Sequence, residues 1–489
     1  MKVIILPTLF LLLLLAVRFF AFNPQKVSED RSAIRCKDCN VIVISLSNLR
    51  KKNMSFYGSY RATTNNIDNF FKDSLIFTHA IAPASITYTD ATSFFYSLQP
   101  TVHKFFSRDD KDKSAEILKS YTGFPQILKK AGYKTAAFVS DEDYNRSNNF
   151  GNLFDWYFDR DLYRDYGITF HPWKYNIGTK DLVGPTINWL KQNKNEKFFL
   201  FLQAYDMHCP YTPEGKFKQL YQKEHNQKIN WDNCYITYTE AEKIKKNNKT
   251  YYKLYDWMSF QKRKLDEGIL FEKQDLDHLV NLYDAELTNA DDNLKPLFDE
   301  IEKLGLTKNT IIIFMSEHGD YLGEGGYFMK VAVTAKGNLH NANLNYPLMI
   351  RLPKITKPFI QDQLIQTIDL APTILDLVGL NPSEQMQGKS FLYSLGNTQS
   401  FNDYAFSPAE RKRDFRFNGN FIVQALQNHE WKYDYYEHKD FSGKTLNIEE
   451  ALYHLPVDRD EKYDVKDKFS SVLNNMRAAI SSKRKYYEK

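Results

Sequence analysis

The sequence predicts an α/β fold built on a mostly parallel sheet, and three apolar runs with helical patterns between them carry that prediction. Asn40–Leu46 reads NVIVISL, Lys197–Ala204 reads KFFLFLQA and Asn309–Ser316 reads NTIIIFMS. Each run is short, nearly continuous and rich in β-branched or aromatic residues, as a strand buried on both faces requires. Helical patterns fill the intervals, as at Gly123–Ala131 and Asp275–Leu304, with Gly132 and Gly305 placed to stop them. Strands that alternate with helices pair in parallel. Chemistry in such sheets collects beyond the carboxyl ends of the strands, so the residues after Leu46, Ala204 and Met315 are the first to read.

The remaining elements follow in chain order. Residues 1–23, MKVIILPTLFLLLLLAVRFFAFN, place Lys2 before an apolar run that Arg18 interrupts. A spanning helix needs roughly 20 apolar residues, so this run suits a signal peptide, with an uncleaved membrane anchor as the alternative. Either predicts an exported protein: secreted, periplasmic or lumenal. Residues 24–39 form a linker ending in Cys36-x-x-Cys39, and Cys209 and Cys234 flank a polar stretch. One local bridge in each pair is favoured over a redox pair or half a zinc site, because no second CxxC stands at matching spacing. A main domain covers 40–395, carrying a Lys-, Asn- and Tyr-rich insertion at about 214–273 without sustained apolar period. Residues 396–489 change to aromatic-polar alternation, as at Asn418–Leu426 and His429–Tyr436, and close on a helix near Lys466–Lys483, forming a small α+β subdomain.

Composition excludes several classes. In 489 residues, 43% are hydrophobic and 26% charged, with 20 Gly and 17 Pro, which excludes a collagen, a disordered chain and a multi-span membrane protein. A net charge of +5 is too slight to indicate a nucleic-acid partner. Four cysteines are too few for a disulfide scaffold.

Four segments, in order, resemble the sulfatase branch of the alkaline phosphatase superfamily. They are NVIVISLSNLRKKNMSFYG from Asn40 with TTNNIDNFFKDSLIFTHAIAPAS from Thr63; FLFLQAYDMHCPYTP from Phe199; YDAELTNADDNL from Tyr283 through TIIIFMSEHGDYLGEGG from Thr310; and KGNLHNANLNYPLMIRLP from Lys336. The resemblance implies a large α/β/α sandwich, alkaline-phosphatase-like, with a smaller C-terminal sheet domain. It also implies cleavage or transfer of a sulfate or phosphate ester, for which a nucleophilic oxygen must be activated, the anionic centre held, and the leaving oxygen protonated.

By that resemblance Thr87, in PASITYTDATSFF, stands at the nucleophile position. The motif that converts Cys or Ser to formylglycine is absent, since Thr89 and Ala91 occupy its Pro and Arg positions, so direct attack by the Thr87 hydroxyl is implied. Read without the family, Thr87 is a good N-cap for the helix that follows. Glu317 and His318, in SEHGD, stand at the metal-binding Asp-His pair, the extra methylene of Glu moving the carboxylate by about 1.5 Å. A histidine ligand favours Zn or Mn over Ca or Mg. His208, in YDMHCPY, matches the group that protonates the leaving oxygen, and Lys336 the group that contacts the non-bridging oxygens.

The chain departs from the family at Ser47, where an Asp normally supplies charge to the metal, and at Leu339–Ala342, LHNA, in place of Y-E-E. The divalent ion is therefore expected to be weakly bound or absent. Asp90 and Asp320 are the nearest acids in sequence that would compensate. Two functions follow. One is a sulfatase-like hydrolase or transferase using a metal-activated Thr87; the other is an inactive relative that binds an anionic glycan or lipid head group. Partners are a sulfated or phosphorylated small molecule, glycan or lipid head group, and not nucleic acid.

Overall fold

The computed structural model describes residues 34–159, 162, 177–222, 239–240, 242–246, 249–254, 269–328, 338–397, 400–414 and 419–487. The segment 1–23, Cys234 and Lys336 lie outside them. Eight strands make the central sheet: β1 (Asn40–Leu46), β2 (Leu75–Ile81), β3 (Lys134–Val139), β4 (Trp156–Phe158), β5 (Phe198–Ala204), β6 (Thr310–Met315), β7 (Asn345–Arg351) and β8 (Phe359–Gln366). Their spatial order is β8-β2-β7-β6-β1-β5-β3-β4. Strand β7 runs antiparallel to both neighbours, and all other pairings are parallel.

β1 lies at the centre, in register with Thr310–Met315 on one side and Phe199–Ala204 on the other. Its alternation distributes side chains to the two faces, because successive residues of a strand point opposite ways. Val41 and Val43 join one buried cluster, with Phe94 and Phe95 of α1 (Thr87–Tyr96), Phe124 and Leu128 of α2 (Phe124–Lys130), and residues of α5 (Leu370–Leu377). Ile42, Ile44 and Leu46 join a second, with Leu182 and Leu190 of α3 (Thr179–Asn193) and the apolar stripe of α4 (Lys273–Lys303). The sheet is therefore covered on both faces, the sandwich the sequence predicts.

The expected C-terminal subdomain is an antiparallel sheet of β9 (Ala405–Asp414), β10 (Gly419–Gln427), β11 (Trp431–Lys439) and β12 (Thr445–His454). Leu473, Met476 and Ile480 of the closing helix α6 (Ser470–Tyr487) pack on Trp431, Tyr433 and Leu452. The described parts of the polar insertion include short strands at Glu242–Lys246, Lys249–Leu254 and Ile269–Phe271. Cys36 and Cys39 form the expected local disulfide. Cys209 is also disulfide-bonded, its partner outside the described residues. No helix among the described residues is long and apolar enough to cross a membrane.

Candidate active site

The parallel strands share one direction, so the segments leaving β1, β2, β3, β5 and β6 meet at one edge of the sheet. Thr87 enters this edge from the turn after β2. It is not the N-cap: Ile86 caps α1 in an extended conformation, and Thr87 is the first helical residue. Its hydroxyl stands 3.5 Å from His318 Nε2, both residues fully buried. His318 Nδ1 lies 2.8 Å from the Gly319 carbonyl oxygen. A carbonyl only accepts, so Nδ1 carries the proton, and in the neutral ring Nε2 offers its lone pair to the Thr87 hydroxyl. That is the order of a nucleophile and its base.

Two contacts hold the histidine in place. Ser316 Oγ donates to the His318 carbonyl at 2.7 Å, and Gly319 N donates to the Asn343 carbonyl at 2.5 Å. Gly319 approaches the next loop so closely that a Cβ would collide with the Ala342 carbonyl oxygen, so only glycine fits there. Asp90 Oδ1 accepts from Ala84 N at 2.9 Å and ties the turn before Thr87 to the helix. Ser85 Oγ donates to Asn338 Oδ1 at 3.0 Å.

Glu317 belongs to a buried polar layer. Ser45 Oγ donates to its Oε2 at 2.9 Å, and Gln203 Nε2 to its Oε1 at 3.4 Å. Gln203 Oε1 in turn accepts from Asp141 N at 3.2 Å. Burial, and then the negative charges of Glu317, Asp141 and Asp90, hold the Tyr144 hydroxyl well above the ordinary tyrosine range.

Both compensating acids named from sequence are buried. Asp320 Oδ2 accepts from Asn48 Nδ2 at 3.3 Å and from Tyr211 OH at 3.4 Å, and Asp90 holds its own turn. The carboxylate beside Ser47 is Asp141: Ser47 Oγ donates to Asp141 Oδ2 at 3.4 Å. Sequence reading missed Asp141, Ser45 and Gln203. The signal for Asp141 was present, because it follows the carboxyl end of β3 by two residues. Asn48 adopts a left-handed conformation at φ 58°, which asparagine tolerates better than most residues.

Side chains able to bind a divalent ion stand beside Thr87. Glu317 and His318 offer one carboxylate and one imidazole, and both carboxylate oxygens already accept hydrogen bonds. Among the described residues, the only three His, Cys, Asp or Glu side chains whose ligand atoms all lie within 4.8 Å of one another are His79, Asp362 and His429. Among the described residues, no such group of three includes Glu317 or His318.

His208 follows β5 on the same edge, half-buried, its ring stacked on Tyr205 at 4.3 Å and Nδ1 bonded to the Cys209 carbonyl at 2.7 Å. Glu286 of α4 is buried, with Oε2 lacking a hydrogen-bond partner among the described residues. Burial first, and then repulsion from Asp206, pushes the Glu286 carboxyl from 4.5 up to about 8. An acid whose folded-state pKa is raised stabilises the fold below its unfolded pKa and loses that contribution as pH rises to the folded one. Glu286→Gln should therefore be more stable than the parent at pH 8, with the difference vanishing near pH 4.5, as read from urea unfolding at both pH values. An unchanged difference across this range would show that Glu286 is ionised throughout.

Comparison with known proteins gives one consistent result. A sequence profile described as Sulfatase matches residues 39–380. An N-acetylglucosamine-6-O-sulfatase of Bacteroides thetaiotaomicron is 23% identical over 436 residues, spanning 77% of this chain and 73% of that protein. Arylsulfatase K of Rattus norvegicus is 26% identical over 216 residues, spanning 43% of this chain but only 36% of that protein. The crystal structure of a phosphonate monoester hydrolase of Agrobacterium radiobacter superposes with a TM-score of 0.65 at 15% identity, covering 92% of this chain and 96% of that one.

Proposed function

The chain belongs to the sulfatase family, and from that premise we propose that it cleaves a sulfate or phosphate ester by attack of the Thr87 hydroxyl. The observation that carries this reading is the pairing of Thr87 Oγ1 with His318 Nε2 at 3.5 Å, in a ring whose other nitrogen is bonded to a carbonyl. Thr87 Oγ1 attacks the sulfur or phosphorus atom while its proton passes to His318 Nε2. The bond to the leaving oxygen breaks, and that oxygen takes a proton, the role assigned to His208. Water then hydrolyses the ester on Thr87 and restores the hydroxyl. Charge on the non-bridging oxygens meets the N-terminal end of α1, where Thr87 sits, and Lys336 is assigned to the same oxygens.

Glu317 and His318 are the groups here that a divalent ion would meet. The donor types suit Zn²⁺ or Mn²⁺ better than Ca²⁺ or Mg²⁺, and two ligands would hold it weakly. No step above depends on it. A sulfated glycan is the substrate class favoured by the N-acetylglucosamine-6-O-sulfatase relative. Export through residues 1–23 belongs to the same proposal, supported by the Cys36–Cys39 disulfide, which persists in oxidising compartments.

The test is turnover of aryl sulfates and aryl phosphates by the purified chain, in chelator and after adding Zn²⁺, Mn²⁺, Mg²⁺ or Ca²⁺, with metal content measured alongside. Turnover that persists in chelator supports the Thr87–His318 pair. Turnover that appears only with an added ion would overturn His318 as the sole activating group. No turnover under any condition would overturn the enzyme reading in favour of a protein that binds an anionic glycan or lipid head group. The hydroxyl of Ser47, where the family places a carboxylate, favours that second reading.

A further inference from the structure

A second constellation lies at the junction of the two sheets. His79 stands on β2, Asp362 on the edge strand β8, and His429 in the turn between β10 and β11. The β2–β8 ladder changes register between Gln361 and Leu364, which releases Asp362 from regular pairing. Such irregularities re-aim side chains at sheet edges. Asp362 Oδ1 accepts from Thr78 Oγ1 at 2.5 Å and lies 2.8 Å from His79 Nδ1. The His79 and His429 rings meet edge to face with centroids 4.7 Å apart. His429 Nε2 is 2.7 Å from the Asp362 carbonyl oxygen. A carbonyl accepts only, so Nε2 carries the proton and the neutral ring keeps its lone pair on Nδ1. Holding one imidazole nitrogen on a carbonyl to orient the ring is the usual support for a metal-ligating histidine.

We propose that His79, Asp362 and His429 bind a divalent transition-metal ion, Zn²⁺ by preference, which clips the turn of the C-terminal sheet to the edge of the central sheet. One ligand atom from each lies within 4.8 Å of the others. Bonds of about 2.0–2.2 Å in tetrahedral geometry place ligand atoms a little over 3 Å apart. The 2.8 Å contact between His79 and Asp362 therefore need only open slightly for an ion to replace the proton between them. Two imidazoles and one carboxylate are the ligands zinc takes, with water in the fourth position. Asp362 is largely exposed, so an entry path is open. This site shares no residue with the Thr87 pocket and does not rest on the function assigned to it.

The experiment uses the untagged full chain in a His318→Ala background, which weakens binding at the Thr87 pocket, titrated with Zn²⁺ alone by calorimetry. One equivalent is expected to bind and to raise the melting temperature. Adding His429→Ala, or separately His79→Ala, should abolish both effects. Because His429→Ala removes one hydrogen bond and one ring contact at a turn, that variant should melt within about 4 °C of the parent in the absence of Zn²⁺. Absence of Zn²⁺ binding in the His318→Ala protein would overturn the proposal, as would binding that survives both substitutions. In the otherwise unaltered chain, His429→Ala should leave ester turnover unchanged.

Discussion

Thr87→Ala is expected to lower kcat/KM for aryl esters by at least about a thousandfold, the order that removal of a covalent nucleophile costs. The substitution deletes the hydroxyl and leaves the helix intact, since Ala is a better helix former than Thr. The long hydrogen bond to His318 that is lost is worth about 1 kcal/mol. Activity should fall while the unfolding midpoint scarcely moves. Thr87→Ser, which keeps the oxygen, should recover much of the loss. Full activity in Thr87→Ala would remove the hydroxyl from the mechanism, and equal loss in the serine variant would assign the effect to packing.

Lys432→Met should destabilise the protein by about 3–5 kcal/mol, the usual penalty for stripping a buried charge of its partner. Lys432 is fully buried on β11, its Nζ 2.5 Å from Glu461 Oε1 and bonded to the Leu339 carbonyl. Glu461 Oε2 accepts from Asn341 N at 2.8 Å. His340 between them reaches Asp434 at 3.2 Å. These bonds fasten the loop 338–344, which touches the active-site edge twice, through Asn343 on Gly319 and Asn338 on Ser85. Turnover should therefore fall with stability. The double variant Lys432→Met, Glu461→Leu removes both charges and should regain much of the stability, because an apolar pair avoids the stranded carboxylate. A single-variant change below about 1 kcal/mol in denaturant unfolding would show that water reaches Glu461 when the lysine is gone.

The central strands were legible because burial on both faces leaves an unbroken apolar run; β1 occupies the predicted Asn40–Leu46. Helices α2 and α4 begin and end within two residues of the ranges read from periodicity and glycine stops. Strand β7 was not legible as antiparallel, since a run such as YPLMI is the same read in either direction. The expectation that Thr87 caps its helix failed because capping needs the residue before the first helical turn, and the turn starts one residue earlier than that. Asp141 was missed for a different reason. A carboxylate beside Ser47 comes from a strand 94 positions away, and only the pairing of β3 with β5 and β5 with β1 brings it there. Side-chain pairing across a sheet is written in strand order, which no local pattern encodes.

The placement of β1 between two late partners has a consequence for biosynthesis. Asn40 is 158 residues from the β5 backbone it bonds, and Cys39 is 270 residues from Asn309 at the start of β6. A ribosome therefore releases this apolar strand long before either neighbour exists, and long-range pairing of this kind is slow. Until translation passes Ala204, NVIVISL has neither partner strand, and until Met315 it has only one, so nascent chains stalled before Ala204 should be protease-sensitive at this segment.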